Sequence, residues 1–381
     1  MQNTDCKFPN PEFCAGAFND LTLQMFWKKY DLLVLLAVAV AIRIFASYPA
    51  AVEKYYTQGV YPMITAVLRF LLGWIPISIG DILYGLAVLY LLRGLFRLLR
   101  RLFQRNINKQ YLLRTGKLMA LAVLWVYVIF NGFWGLNYNR TGIAQQLDLK
   151  VTTYTADELA QVVTLTIDKL HYFDTSGLDR RDSFHRKRFL FRQAVSSYKQ
   201  AQQRLPFLAY TAPSLKPSLY SYLGNYLGYS GYYNPFTGEA QVNTTVPLVL
   251  QPFVTTHEIG HQLGFAKENE ANFAGFLAAR ASQDAAVQYS VYFDMYIYAS
   301  KNLMQRDTAL ARKLARQLPE LAKRDLRELR KFYDRYENPL EPIIHMLYGH
   351  YLKANEQPQG ILSYDEVIAW VIAYYRKYGE I

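Results

Sequence analysis

Val254-Thr255-Thr256-His257-Glu258-Ile259-Gly260-His261-Gln262-Leu263-Gly264 is the stretch on which the reading of this chain turns. Its two histidines stand four apart, so on an α-helix they share one face and both imidazoles reach a single ion. Glu258 follows the first histidine and points to the neighbouring side. There a carboxylate can hold and deprotonate a water without taking up a coordination position, as a general base must. Thr256, Ile259, Gly260 and Leu263 are uncharged, which predicts a helix buried behind the site. Gly264 is placed to end that helix as a left-handed C-cap.

Two histidines and a water leave one protein ligand to find. The other histidines are His171, His185, His345 and His350. Just beyond Gly264 comes Lys267-Glu268-Asn269-Glu270-Ala271-Asn272-Phe273-Ala274-Gly275-Phe276-Leu277, the acidic start of a second helix. A chain reversing at Gly264 returns this helix beside the first, and an acid in its first turn can complete a His2Glu set. Glu268 and Glu270 both qualify. Glu270 is preferred because it precedes Ala271, Ala274, Leu277 and Ala278, the small or apolar residues of a closely packed helix. Glu268 then becomes a charge favoured by the helix dipole. The cofactor implied is Zn2+.

His257-Glu258-Ile259-Gly260-His261 followed by Glu270-Ala271-Asn272-Phe273-Ala274 resembles the gluzincin branch of the zinc metallopeptidases, where two histidines of one helix and a glutamate of the next bind zinc. Many gluzincins place that glutamate further downstream. With its N-terminal hydrophobic spans, Val52-Glu53-Lys54-Tyr55-Tyr56 and Gly73-Trp74-Ile75-Pro76, the whole chain is similar to a family of bacterial membrane proteins filed as a numbered domain of unknown function. The first resemblance implies a zincin-like fold and peptide hydrolysis; the second implies a membrane protein and no substrate. For the oxyanion of such a reaction the candidates are His345, Tyr348 and His350. Asn272 is a candidate to orient a ligand imidazole.

The chain has 381 residues, 52% hydrophobic and 15% aromatic, with only 19% charged. The division is uneven: roughly the first third reads as a membrane module and the rest has soluble composition. Cys6 and Cys14 precede every hydrophobic span, so no disulfide framework supports the metal region. The net charge of +12 is largely local. Arg93, Arg97, Arg100, Arg101, Arg105, Lys109, Arg114 and Lys117 lie between two apolar runs, where they set membrane orientation and meet anionic headgroups. Nucleic-acid binding is not expected.

Residues 1–30 are expected as a cytoplasmic leader ending in the anchor Trp27-Lys28-Lys29-Tyr30. Residues 31–138 form the membrane module, with transmembrane helices at about 32–48, 82–99 and 118–136 and an interfacial helix at about 63–74. Arg43 and Asp81, both near outer span ends, are expected to pair. The basic loop belongs in the cytoplasm, which puts residues 139–381 outside it, in an extracytoplasmic metallopeptidase domain on the cytoplasmic membrane. The expected fold is mainly α: transmembrane helices, then a zincin-like α+β domain with a small sheet and a helical C-terminal part. Helices are expected at 155–173, 182–203, 268–281, 284–303, 308–317, 320–336, 340–353 and 363–378. Tyr220–Tyr222, Tyr229–Tyr233 and Glu239–Thr244 read as strands round the turn Asn234-Pro235-Phe236-Thr237-Gly238, and an edge strand there could pair with an extended substrate.

The function these residues point to is zinc-dependent hydrolysis of peptide bonds, with Glu258 as general base. The partners are a peptide or protein substrate in the cell envelope and the lipid bilayer. A zinc hydrolase of a cell-envelope amide, or a non-catalytic membrane-tethered receptor or assembly factor with a structural metal, are the alternatives.

Overall fold

Two long apolar runs without proline build two helices of 25 residues, Ile79–Phe103 and Lys109–Phe133. At 1.5 Å per residue each extends about 37 Å, enough to cross a hydrocarbon core of about 30 Å. The structure, a computed structural model, describes residues 30–105, 107–357 and 366–381. The leader with Trp27-Lys28-Lys29 and both cysteines, and Ser363-Tyr364-Asp365 of the last helix's expected start, lie outside the described residues. Among the described residues, only these two helices meet the length and hydropathy of a span by themselves. The first expected span, Tyr30–Ala46, meets it only together with Pro49–Leu72, across a break.

In chain order the helices are α1 (Tyr30–Ala46), α2 (Pro49–Ala51), α3 (Tyr61–Leu72), α4 (Ile79–Phe103) and α5 (Lys109–Phe133), with π-helical turns Val52–Val60 linking α2 to α3. Then come α6 (Ile143–Gln146), α7 (Ala156–Tyr172), α8 (Asp174–Arg181), α9 (Lys187–Ala201) and α10 (Ser221–Leu227). The last group is α11 (Gln251–Gln262), α12 (Glu268–Arg280), α13 (Ala285–Arg306), α14 (Thr308–Ala315), α15 (Glu320–Tyr336), α16 (Glu341–Ala354) and α17 (Val367–Tyr378). The fold is mainly helical, with one small sheet of β1 (Leu215–Pro217), β2 (Gly231–Asn234) and β3 (Glu239–Val242).

Contacts divide the chain into two units. One joins the described residues up to Tyr48 with Leu91–Gly132; the other joins Pro49–Tyr90 with Phe133–Ile381. The first is helical and outwardly apolar: Leu95, Phe96, Val123 and Trp125 are exposed, and Lys117 pairs with Asp31 at 2.9 Å.

The second unit holds the core. Thr155 opens α7 with a capping box, its Oγ1 accepting from the Glu158 amide while Glu158 reaches back to the Thr155 amide. Round α11 pack α9, α12 and α13, with α7 and α17 outside them. Tyr198, Phe273, Phe276, Tyr289, Tyr292 and Phe293 are fully buried between these helices. A buried triad ties three helices together: Arg181 of α8 forks onto Asp325 of α15 at 2.7 and 2.8 Å, and Tyr289 of α13 donates to the same carboxylate at 2.9 Å.

The sheet runs β1-β3-β2, β1 parallel and β2 antiparallel to β3, with Gly231 opposite Val242 and Asn234 opposite Glu239. The expected turn is present: Asn234 Oδ1 accepts from the Phe236 amide at 3.0 Å, and Gly238 takes a left-handed φ of +67°. Tyr220–Tyr222 is not a strand. Ser221 opens α10, and Gly228 (φ +76°) closes it as a left-handed cap. The helix expected at 182–203 is interrupted; a 3-10 turn over Asp182–His185 precedes α9, and α8 stands before it.

In the N-terminal third the structure adds to the reading of the helix expected at 63–74, corrects one pairing and shortens the third span. The apolar helix α3 is built into the second unit by one stripe, Tyr61, Thr65 and Arg69, all buried, while Met63, Phe70 and Trp74 stay exposed. Asp81 takes its hydrogen bonds from Ser218, the Leu219 amide and Tyr232 in place of Arg43. The third span ends at Phe133, and Trp134, Leu136 and Tyr138 are buried in the second unit.

Removing one member of a buried ion pair leaves the other uncompensated, at a cost of about 3–5 kcal/mol. Asp325→Ala therefore lowers the unfolding temperature of the detergent-solubilised chain sharply. An unchanged melting curve would show that the Arg181 triad does not hold α8, α13 and α15 together.

Candidate metal centre

All twelve residues of α11 are buried, charged and polar ones included. Pro252 sits in the first turn, where its missing N–H costs no hydrogen bond. Gly264 takes φ +84° just past the helix end, and a Cβ there would press on Tyr61 and Asn137. The predicted left-handed cap is therefore present, and only glycine suits it.

The carbonyls at this helix end are satisfied from far upstream. Trp134 Nε1 donates to the His261 carbonyl at 3.1 Å. Tyr61 Oη and Arg69 Nη2 both donate to that of Gln262, at 2.8 and 2.7 Å. Arg140 reaches the Leu263 carbonyl at 3.4 Å while its guanidinium forks onto buried Glu53 at 3.1 Å and covers the Phe265 ring. The Gln262 side chain donates to the carbonyls of Ser214 and Gly238 at 2.9 and 2.8 Å, fastening the helix to the chain just ahead of β1 and β3.

On α11, His257 and His261 present their rings at right angles, 4.7 Å apart. His257 Nδ1 lies 2.8 Å from Asn272 Oδ1, and His261 Nδ1 lies 2.8 Å from the Phe265 carbonyl. Two acceptors facing the two Nδ1 atoms select the tautomer protonated there and leave both Nε2 lone pairs bare. Those lone pairs converge on Glu268 Oε2, at 3.3 Å from His257 and 3.5 Å from His261. Such separations are long for a charge-assisted hydrogen bond, about 2.7–2.9 Å. They match the edge of a tetrahedron whose ligands lie about 2.1 Å from a central zinc, about 3.4 Å.

His257, His261 and Glu268 are the three-residue group among the described residues whose ligand atoms lie close enough to hold one metal ion. The preference for Glu270 is thus corrected. Glu268 faces the imidazoles, while Glu270 points to the other side of α12, towards Gly142, Arg140 and Glu53. Burial raises the Glu270 carboxyl, against the pull of Arg140 and Lys267. Burial also pushes Glu268 up, but the two imidazoles outweigh it and hold the carboxylate well below its ordinary value. For His261 without a metal, burial acts downward and the Glu268 carboxylate overrides it, raising the ring to about 9, so a metal binding at Nε2 would displace a proton there.

Glu258 is buried beside Gly231 of the edge strand β2, where a Cβ would collide with its carboxylate. Burial lifts Glu258 to about 7, opposed by His257 and His261 and helped by Glu268. Among the described residues Glu258 Oε2 and Glu268 Oε2 are buried with no hydrogen-bond partner, as are Glu270 Oε2 and, away from the site, Asp174 Oδ1. Buried carboxylate oxygens left bare are uncommon and call for a ligand, ion or water. The donor set, the bare lone pairs and the tetrahedral spacing all fit zinc.

The three oxyanion candidates separate. Tyr348 of α16 donates its hydroxyl to Glu268 Oε1 at 2.9 Å. His345 lies 3.6 Å from Glu341 on its own helix, and His350 is exposed and bonded to the Met346 carbonyl. Only Tyr348 is brought onto the metal cluster. Sequence reading missed the Phe265 carbonyl, which no side chain advertises. It also missed Trp134, Gln357, which accepts from the Glu268 amide at 2.9 Å, and Gly231.

A family model matches residues 56–372, from the π-helical turns to the middle of α17. The chain belongs to DUF3810, a family of proteins of unknown function. Comparison with the curated proteins and with the solved structures finds no significant match. The DUF3810 match takes in α11, α12, the sheet and α16, and its description assigns no activity. The likeness to gluzincins therefore rests on the motif residues alone.

Glu268→Gln should lower zinc affinity by more than the roughly 10–100-fold typical of outer-shell changes, and Asn272→Ala by about that amount. Glu270→Gln should leave it unchanged. Metal titration of the three purified variants checks this; zinc lost from Glu270→Gln and kept by Glu268→Gln would reverse the assignment.

Proposed function

We propose that this DUF3810 chain is a membrane-anchored, zinc-dependent metallopeptidase whose metal is held by His257, His261 and Glu268, with Glu258 as general base. The observation that carries the reading is a bare, buried Glu258 carboxylate next to two imidazoles and an acid spaced as a tetrahedral zinc site. A purely structural site has no use for that additional carboxylate.

When bound, zinc supplies Lewis acidity, polarising a substrate carbonyl and acidifying a water. The chain's own groups do the rest. Glu258, lifted by burial to about 7, takes a proton from water near neutral pH and returns it to the leaving nitrogen. Asn272 and the Phe265 carbonyl hold the imidazoles in the liganding tautomer. Tyr348 fixes the Glu268 carboxylate through Oε1, leaving Oε2 turned to the imidazoles. Edge strand β2 borders Glu258 at Gly231, which suits a substrate lying extended along it.

This reading carries a zincin-like α+β domain, a peptide or protein substrate of the cell envelope, and a cytoplasmic-membrane location. The basic run between α4 and α5 places that loop in the cytoplasm. Counting α1 as a crossing puts the N-terminus there too and the metal-bearing unit outside.

Glu258→Gln should keep zinc and lose about 10²–10⁴-fold in peptide hydrolysis, whereas His261→Ala loses both. The assay is chelator-sensitive cleavage of a peptide library by the solubilised full chain, beside its zinc content. Full activity in Glu258→Gln would sink the general-base assignment.

A further inference from the structure

Helix α16 is out of keeping with the rest of the second unit. Of its fourteen residues only Leu352 is buried, although Ile343, Met346 and Leu347 are apolar. Short helices draw their stability from a packed face, and this one presents its apolar residues outward. Its neighbour α10 does the same with Tyr222, Leu223 and Tyr226, exposed by half or more for the first two at 69% and 51%. The two helices meet: Asn338 donates to the Tyr226 carbonyl at 2.8 Å, and the His345 ring lies against Gly228, the cap of α10.

This apolar rim is tied at one end to a membrane-length helix and at the other to the metal cluster. Ahead of α10, the Leu219 amide and Ser218 hydroxyl bond the Asp81 carboxylate, and Tyr220 Oη donates to the Asp81 carbonyl at 2.9 Å. The Tyr220 hydroxyl also covers Gly85, one turn further along α4. The rim therefore sits level with the first turns of α4, where its apolar run begins. On the other side Tyr348 of α16 bonds Glu268, and three residues after Gly228 comes Gly231, against Glu258.

We propose that α10 and α16 are seated in the bilayer surface, so that the metal site takes peptides that are themselves inserted in, or tethered to, the membrane. The occupant of the rim is lipid, because the rim is continuous with the helix that enters the bilayer and carries Tyr222 and Tyr226, aromatics of the kind favoured at the headgroup level. The substrate half of this inference rests on the metallopeptidase reading.

The test uses the full chain, with Cys6 and Cys14 replaced by serine, in nanodiscs of phosphatidylcholine and phosphatidylglycerol. Fluorophores at Leu223→Cys and Ile343→Cys should be quenched about twofold or more by brominated acyl chains, as groups sunk to the acyl boundary are. A label at Asp168→Cys, on α7, should not respond. Leu223→Glu and Ile343→Glu should each slow cleavage of a palmitoylated peptide in the same lipids by about tenfold, with the unanchored peptide cleaved as before. Zinc-dependent cleavage with no quenching at either rim position overturns the membrane seat and spares the hydrolase. Equal loss on both peptides overturns the substrate class. Quenching with no zinc-dependent cleavage of any peptide sinks the hydrolase reading and leaves the membrane seat standing.

Discussion

The structure hangs on how the end of a wholly buried helix is satisfied. The last carbonyls of an α-helix have no partner within it, and in α11 none of them faces water. A buried unmade hydrogen bond costs about 1–3 kcal/mol, so each of these carbonyls must find a donor. The Ile259, Gly260 and His261 carbonyls take the amides of Leu263, Phe265 and Gly264, with Trp134 adding to His261. Those of Gln262 and Leu263 take Tyr61 and the cations Arg69 and Arg140. Those cations also lie where the negative end of the helix dipole favours them. The N-terminal segment is therefore structural: without α3 and the turn after α5, the carbonyls of Gln262 and Leu263 at the end of the helix carrying His257 and His261 would lose these donors.

From that fixed helix the third ligand follows by rotation. Successive residues turn by about 100°, so Glu268 and Glu270 lie about 200° apart on α12 and cannot both face α11. The close approach identifies the facing side. Gly275 lies against the His257 backbone, Ala271 against Gly260, and Asn272 against the His257 ring. Residues 268, 271, 272 and 275 form one i, i+3, i+4, i+7 stripe, and Glu268 belongs to it. Glu270 belongs to the opposite side, with Phe273 and Leu277. Of the alanines that favoured Glu270 in the sequence, Ala271 and Ala274 do pack on Gly260 of α11, and Ala271 belongs to the stripe that Glu268 begins.

What was legible in the chain is what short-range chemistry dictates. The motif helix, its Gly264 cap and the Thr155 capping box are read from neighbours within a few residues. The small sheet was legible only near its turn, where Asn234 and Gly238 impose the geometry; β1, three residues paired in parallel with β3, has no such local signature. Tyr220-Ser221-Tyr222 alternates like a strand, yet its tyrosines serve a helix anchored to Asp81. The stripe Tyr61, Thr65, Arg69, spaced for one helix face, was there to be read in the apolar run at 63–74. Its meaning was not, because the acceptor of Arg69 lies 193 residues away. Pairing Asp81 with Arg43 failed for the same reason: the polar groups that surround Asp81 come from 137 residues and more downstream.

The same long-range ties fix where the cluster stands relative to the first turn of α4. The first amides of α4, of Ile79 and Gly80, donate to the buried Glu239 carboxylate of β3 at 3.2 and 2.6 Å, and Ser78 and Thr237 complete its shell. A carboxylate at a helix N-terminus is favoured by the dipole as well as by those bonds. Glu239 follows Gly238, whose carbonyl is held by Gln262 at the end of α11, and β3 pairs with β2, whose Gly231 abuts Glu258. The links from the start of α4 to α11 are thus strand pairings and largely buried hydrogen bonds, with the close approach of Gly231 to Glu258 at the end. A cluster held this way cannot shift relative to the first turn of α4 without breaking the sheet, so its position there is set by the fold itself.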